Sequence, residues 1–277
     1  MNIQLSDHFN YKKLFLFTLP SVVMMVFTSV YCVVDGFFVS NFAGKTAFAA
    51  INLIMPFIMI LGGIGFMIGT GGSALVSYTL GTGDKEKANR YFSMMVYFTI
   101  LAGILLTVLG IIFVRPMAEL FGADESMMDT CVLYGRIVIA FNAAYMLQNI
   151  FQSFFVVAEK PRLGLIVTIA AGVTNMVLDA LFVGVFKWGI VGAALATGIS
   201  QSIGGLLPLL YFALPNNSPL QLTRTGFELA PLLKASSNGC SELMSNVASS
   251  LIGIVYNYQL MRLGGENAVA TYGVLMY

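Results

Sequence analysis

Long apolar runs separated by short polar connections dominate this sequence and most constrain its fold. A helix needs about 20 apolar residues to cross the hydrocarbon layer of a membrane. Seven runs meet this length and an eighth begins near residue 268. They cover residues 14–39, 47–80, 91–114, 127–158, 163–186, 189–214 and 229–260. The pattern therefore predicts an all-α polytopic membrane protein, with seven to eight spans in this chain.

The composition excludes an ordinary soluble protein. Hydrophobic residues make up 58% of the 277 residues and charged residues 10%, whereas a globular domain is about 25% charged. The net charge of +1 argues against a nucleic-acid binder, which would carry a clustered basic surface. We expect a monomer whose partners are the lipid bilayer and small organic molecules.

The distribution of basic residues predicts the orientation in the membrane. Eight lysines and arginines fall in connections on the side of the N-terminus, and four fall on the other side. Because basic residues concentrate on the cytoplasmic side, the N-terminus is predicted to be cytoplasmic and the protein to lie in the cell membrane. The eight are Lys12, Lys13, Lys85, Lys87, Arg90, Lys160, Arg162 and Arg224, and the four are Lys45, Arg115, Lys187 and Arg262.

One internal repeat predicts the domain organisation. Residues 215–226 contain two prolines and a polar cluster, which is typical of a linker. Beyond it, Gly265 aligns with Gly44 and Ala268 with Ala47, at a constant offset of 221 residues. We therefore predict a first six-helix lobe over 1–214, a cytoplasmic linker over 215–227 and the start of a second lobe over 228–277. The same arithmetic predicts a whole protein of roughly 440 residues with two six-helix lobes, of which this chain is a part.

Two carboxylates within the apolar runs are the main candidates for function. At about 1.5 Å per residue, Asp35 lies about 31 Å above Leu14 and Asp179 about 24 Å above Leu163, so both fall in the outer half of the bilayer. Asn175 lies one helical turn below Asp179, and Thr197 lies at a similar depth in the next run.

Carboxylate, amide and hydroxyl oxygens can bind a small cation, and two nearby carboxylates can hold one proton between them. The sequence thus predicts a proton or cation site at Asp35, Asn175, Asp179 and Thr197, with Na⁺ an option at the two acids. The open alternative is that both acids are hydrated near the membrane interfaces and end helices there.

Two further groups of polar residues lie within the runs. The spacing of Asn142, Tyr145, Asn149 and Gln152 places them on one helical face. Such a stripe lines a central cavity or forms hydrogen bonds between helices, and the sequence does not separate these two roles. Glu242, among several serines and asparagines, is the candidate cation or substrate site of the second lobe.

Nothing in the sequence indicates an enzyme. Gly44-Lys45-Thr46 resembles the end of a phosphate-binding loop, but that motif requires glycine at position 39, which is valine. We find no pairing of a nucleophile with a base, and we expect no cofactor other than H⁺ or Na⁺ as a coupling ion.

Several segments, in order along the chain, resemble the multidrug and toxic compound extrusion (MATE) exporters. They are Leu19-Pro20, Val34-Asp35-Gly36-Phe37-Phe38-Val39, Asn175-Met176-Val177-Leu178-Asp179, Gly192-Ala193-Ala194-Leu195-Ala196-Thr197 and Asn238-Gly239-Cys240-Ser241-Glu242. The resemblance implies twelve spans in two lobes around a V-shaped cavity, and export of organic, often cationic compounds in exchange for H⁺ or Na⁺. It also implies that the first-lobe cation site falls on Asp35, Asn175, Asp179 and Thr197.

Two other functions remain open at this point. A lipid-linked oligosaccharide flippase of the same superfamily would share the two-lobe layout but would be expected to line its cavity with basic residues. The bases within the runs are few, chiefly Arg136 and Lys234. A channel or a purely structural membrane protein would show flux without coupling to an ion gradient, or no flux.

Overall fold

The computed structural model describes residues 10–276, and all regular secondary structure in this range is helical. Two π-helical segments, π1 (Val39–Ala43) and π2 (Ala180–Val185), extend the first and sixth helices. The helices are α1 (Tyr11–Phe38), α2 (Lys45–Gly81), α3 (Lys85–Leu120), α4 (Glu125–Ala140), α5 (Asn142–Val157), α6 (Pro161–Asp179), α7 (Gly189–Ala213) and α8 (Leu229–Met276).

Five of these helical stretches are long and apolar enough to cross a membrane, and α4 with α5 makes a sixth if the bent pair is one span. Apolar side chains on α1 and α3, such as Met25, Val26, Leu101 and Ile112, are exposed, as expected for surfaces that face lipid. The prediction of an all-α membrane protein is confirmed. The five are Tyr11–Ala43, Lys45–Gly81, Lys85–Leu120, Pro161–Val185 and Gly189–Ala213.

The run over residues 127–158 is not one straight helix. It breaks at Phe141, where φ is −96° and ψ is 6°, and α4 and α5 meet there at an angle of 54°. The ring of Phe141 lies against Gly198 of α7, in space that a side chain at position 198 would fill. The apolar run continues through this position, so hydrophobicity alone carries no signal for the break.

Helix α8 consists of two arms that fold back on each other. Gly265 has φ 60° and ψ −155°, a conformation outside the helical region that glycine adopts without steric cost. The rings of Tyr256 and Tyr272 stack 5.5 Å apart, although these residues would lie about 24 Å apart along a straight helix. The arms therefore run over residues 229–264 and 266–276.

This reversal agrees with the turn that the internal repeat predicts between the seventh run and the eighth. Gly44, the repeat partner of Gly265, also has a positive φ, 95°, where the chain turns between π1 and α2. Helix α8 is not among the helices that pass the length and hydropathy criteria for a span. The seventh and eighth spans stay predictions.

The segment between α7 and α8 has no regular secondary structure and packs on α3. The backbone N–H of Gln221 donates to Asn89 Oδ1 at 3.0 Å, and that of Thr223 donates to Ser93 Oγ at 2.8 Å. The side chain of Leu220 is fully buried. This stretch matches the position of the predicted linker, and the division into two lobes remains a prediction.

Helix α2 lies at the centre of the packing and contacts α3, α4, α5 and both arms of α8. One buried cluster of the bundle contains aromatic rings that contact one another, those of Phe92, Phe151, Phe154 and Phe212. The first arm of α8 runs antiparallel to α2. This arrangement brings polar residues of α1, α2 and α8 together.

Candidate functional site

The two acids singled out from the sequence face each other. Helices α1 and α6 pack side by side, with Gly172 of α6 against the rings of Phe27 and Tyr31. The carboxyl groups of Asp35, on α1, and Asp179, on α6, lie next to each other. Within residues 10–276, Asp35 Oδ1 and both oxygens of Asp179 are buried and have no hydrogen-bond partner.

Such a pair is not stable with two negative charges and nothing between them. Two carboxylates at this separation repel each other, and burial removes the water that would screen them. Asp179 is 0% exposed. A shared proton or a bound cation would relieve the repulsion, so the geometry is suited to the uptake and release of a small positive ion.

Both acids lie near the start of a π-helical segment. Asp35 is near the end of α1, which π1 follows, and Asp179 is the last residue of α6, which π2 follows. The two π-helical segments contact each other. π-Helical turns are rare in proteins overall, and those that occur are often found at functional sites. The two π-helical segments are therefore a second, independent indication that this region is functional.

The other two members of the predicted cation site are placed differently. Asn175 is 2% exposed, one turn before Asp179, and its Oδ1 has no hydrogen-bond partner among the described residues. Thr197 is half-buried on α7, which packs against α6, but no hydrogen bond joins its hydroxyl to the acids in the described part of the chain. The structure therefore brings Asp35 and Asp179 together, with Asn175 adjacent.

The donor set is suited to a hard cation rather than to a transition metal. No group of three or more His, Cys, Asp and Glu side chains that could hold a metal occurs among residues 10–276. Carboxylate and amide oxygens such as those of Asp35, Asp179 and Asn175 are the ligands that small hard cations prefer.

The polar stripe of α5 faces the interior formed by α1 and α2. Tyr145 lies against Gly62 and within hydrogen-bonding reach of Asn149, and it is close to Cys32 of α1. The amide of Asn142 contacts Met146 Sδ of its own helix at 3.5 Å, and Gln152 is half-buried. These contacts are compatible with both predicted roles of the stripe.

A cavity of about 520 Å³ lies between α1, α2 and α8, and we call it the α1–α2–α8 cavity. Its volume is within the range of about 300–1,000 Å³ that is typical of small-molecule sites. Asp35 lies on its wall, so the acid pair adjoins it. The lining residues are Thr28, Ser29, Cys32, Asp35, Asn52, Met55, Pro56, Met59, Ser249, Ser250, Gly253, Asn257 and Tyr272.

Most of this lining was not singled out from the sequence. The stripe of α5 and Glu242 are not part of it, and Glu242 is exposed on α8, where its backbone carbonyl accepts from Asn246 Nδ2 at 2.9 Å. The role of Glu242 stays a prediction. Single serines and asparagines in apolar helices give no local sign of which cavity they line, because that depends on the partner helix.

At the end of the bundle where the chain turns into α2, Glu266 connects the turn of α8 to α2 and α4. Its Oε2 accepts from Thr46 Oγ1 at 2.9 Å, and its Oε1 accepts from Ser126 Oγ at 2.6 Å. Thr46 and Ser126 are the second residues of α2 and α4, so one carboxylate joins three elements. This contact holds the start of the second arm of α8 against the N-terminal ends of α2 and α4.

Replacing Glu266 with Ala is expected to loosen this contact. Hydrogen bonds to a charged group contribute about 1.5–3 kcal/mol each, so amide hydrogens of residues 266–276 should exchange roughly tenfold faster or more. Hydrogen exchange with mass spectrometry on the detergent-solubilised full-length protein measures this rate. Asp129→Ala, at an exposed acid of α4, serves as the control, and unchanged exchange in Glu266→Ala would contradict the assignment.

The sequence is similar to curated multidrug export proteins. MepA of Staphylococcus saprophyticus subsp. saprophyticus is 24% identical over 267 residues, which cover 95% of this chain and 58% of that protein. MepA of Staphylococcus aureus strain N315 is 24% identical over 269 residues, with the same coverage. The chain thus spans 58% of the length of the curated relatives it matches.

Solved structures share the fold. A multidrug resistance MATE family transporter of the MOP superfamily, in its inward-facing conformation, superposes with a TM-score of 0.84 at 21% identity, covering 90% of this chain and 57% of that one. A MOP superfamily transporter from Pyrococcus furiosus Vc1 superposes with a TM-score of 0.83 at 22% identity, covering 94% and 58%. The MatE family model matches residues 20–181, more than half of the chain, so the resemblance seen in the sequence is confirmed. The chain belongs to the MatE family.

Proposed function

We propose that the protein containing this chain is a secondary antiporter of the cell membrane, with a cytoplasmic N-terminus. It exports organic, often cationic compounds in exchange for H⁺ or Na⁺ by alternating access. Membership of the MatE family and the names of the MepA relatives, described as multidrug export proteins, support a transporter of small molecules rather than an enzyme.

One observation supports the proposed coupling of substrate transport to an ion. Asp35 lies on the wall of the α1–α2–α8 cavity and also faces Asp179 across the contact between α1 and α6. An ion that binds between the acids therefore acts on a residue that a cationic substrate in the cavity would also contact. Competition of the two cations for one carboxylate gives an exchange cycle its physical basis.

The packing of α1 provides a route from ion binding to conformational change. With an ion bound, the attraction between α1 and α6 increases, and without it the repulsion between the carboxylates favours their separation. An ion shifts the balance of inward-open and outward-open states only by its difference in affinity for the two. The acid pair supplies that difference if the two helices are closer in one state.

The cavity favours a cationic substrate over a pyrophosphate. Its described lining contains one carboxylate and no lysine, arginine or histidine. Arg136 and Lys234 are exposed, outside this lining, and the Lys234 ammonium lies 5.9 Å from the ring centroid of Tyr78. This observation does not support the flippase.

Transport of a fluorescent organic cation against its gradient tests the proposal. The full-length protein is reconstituted in liposomes, with a proton gradient, a sodium gradient or neither imposed. We expect accumulation of the dye with one of the two gradients and none without. Equilibration of the dye in all three conditions would indicate a channel, and absence of any flux would contradict a transporter of such cations.

A further inference from the structure

A proline of α2 leaves one backbone carbonyl without its helical donor. The N–H of residue 56 would bond to the carbonyl of Asn52, four residues earlier, but Pro56 has no N–H. In the structure, Asn257 Nδ2 donates to that carbonyl at 3.0 Å. The Pro56 ring lies near Gly253, one turn before Asn257, so the proline and the asparagine are matched across the contact of α2 with α8.

This bond determines which way the amide of Asn257 is turned. A carbonyl only accepts hydrogen bonds, so the NH₂ group must face Asn52 and the amide oxygen must face away from it. Asn257 is 2% exposed and lines the α1–α2–α8 cavity, and its Oδ1 has no partner among residues 10–276. The carbonyl that Pro56 leaves free thus orients the Asn257 amide so that its oxygen, a buried acceptor, lies at the cavity.

The same wall carries a second buried polar group without a partner, a hydroxyl that can accept or donate a hydrogen bond. Ser250, two turns before Asn257 on α8, is 3% exposed, and its Oγ has no hydrogen-bond partner in the described part of the chain. The wall formed by α1 carries the carboxylate of Asp35. Because a buried acceptor without a donor costs about 1–3 kcal/mol, this lining is complementary to a ligand that brings N–H or O–H donors together with a positive charge.

We propose that Asn257 is a specificity-determining residue of the α1–α2–α8 cavity, where its Oδ1 accepts a hydrogen bond from an N–H group of a protonated amine. Asp35 provides the opposite charge, and the carbonyl of Asn52, freed by Pro56, fixes the orientation of the amide. The substrate class is therefore organic cations with a charged N–H, in preference to quaternary ammonium ions that have none. The inference rests on the proposed transport of organic cations.

The experiment must separate contact with the ligand from the support that Asn257 gives to α2. Pro56→Ala restores the helical N–H for the Asn52 carbonyl, so in that background the Asn257 amide is no longer needed to satisfy it. Asn257→Leu then removes the acceptor with little change in side-chain size. Asn246→Leu, on the same helix but outside the described cavity lining, is the matched control.

The probes are a fluorescent dye with a protonated tertiary amine and its N-methyl quaternary analogue. Their dissociation constants are measured by fluorescence polarisation with the full-length protein in detergent, and unfolding temperatures verify that each variant is folded. In the Pro56→Ala background, Asn257→Leu is expected to weaken binding of the amine roughly tenfold and to leave the quaternary cation unchanged. Asn246→Leu is expected to change neither.

Equal weakening of both dyes, or of neither, would overturn the role of Asn257 while leaving the proposed transport intact. If the unsubstituted protein binds neither dye, the proposed function fails for these cations, and the inference fails with it. Selective loss of the amine in the double variant supports the hydrogen bond, because a purely structural role of Asn257 would not distinguish an N–H from an N–CH₃.

Discussion

Replacing Asp179 with Asn is expected to reduce gradient-driven efflux by roughly tenfold or more, since each loss of about 1.4 kcal/mol in differential ion binding changes the balance of states tenfold. Asparagine preserves the shape of the side chain and can still bond to Asp35, but it neither carries a negative charge nor exchanges a proton with Asp35. The pair then loses the repulsion that ion binding relieves. Asp35→Asn is expected to have the same effect, and the initial rate of dye efflux under an imposed ion gradient measures both.

Glu119→Gln provides a control for the loss of an acid. Glu119 pairs with Arg115 at 3.6 Å, and the two side chains are 60% and 59% exposed. Exposed pairs of this kind contribute about 0–1 kcal/mol, so efflux should stay close to that of the unsubstituted protein. If both aspartate variants transport as well as Glu119→Gln, the acid pair is not the site of coupling.

The second large effect is expected at Gly71, where the backbones of α2 and α8 approach closely. A Cβ on Gly71 would collide with the carbonyl of Ala235 and lie 2.6 Å from the backbone nitrogen of Gly239. Small residues allow this approach of membrane helices, and overpacking such a contact costs about 1–3 kcal/mol. Gly71→Ala is therefore expected to lower the unfolding temperature of the full-length protein in detergent and to reduce transport.

Gly81→Ala tests the same substitution without the contact. Gly81 is the last residue of α2, and nothing lies within 4 Å of a Cβ at that position. Since alanine is favoured over glycine within a helix by about 0.5–1 kcal/mol, stability should stay the same or rise slightly. The two variants thus have opposite expected signs, and a rise in unfolding temperature for Gly71→Ala would refute the close contact.

Much of the helical pattern was predicted from the sequence, and the features that were not predicted have physical causes. Long apolar runs marked the helices, and two glycines related by the repeat, Gly44 and Gly265, marked two turns with positive φ. The break at Phe141 went unpredicted because a bulky apolar residue continues the run, and only Gly198 on another helix makes room for its ring.

The candidate site was predicted only in part, because tertiary packing decides which polar residues meet. Depth along each run placed Asp35 and Asp179 at similar levels, and the packing of α1 on α6 then brought them face to face. Asn52 and Asn257 were missed, although Pro56 contained a signal: a proline within a helix implies an unpaired carbonyl four residues earlier. Which distant side chain would bond to it depends on tertiary packing.

The irregular segment 214–228 also keeps α8 close to α2. Bonds to Asn89 and Ser93 fix it as far as Thr223, and the N–H of Glu228 contacts Met94 Sδ at 3.3 Å. Between these two attachments, residues 224–227 form a short tether without regular secondary structure. Because effective concentration rises as a tether shortens, α8 encounters α2 as a high-concentration intramolecular partner, and weak contacts between these helices can break and re-form without the helices separating.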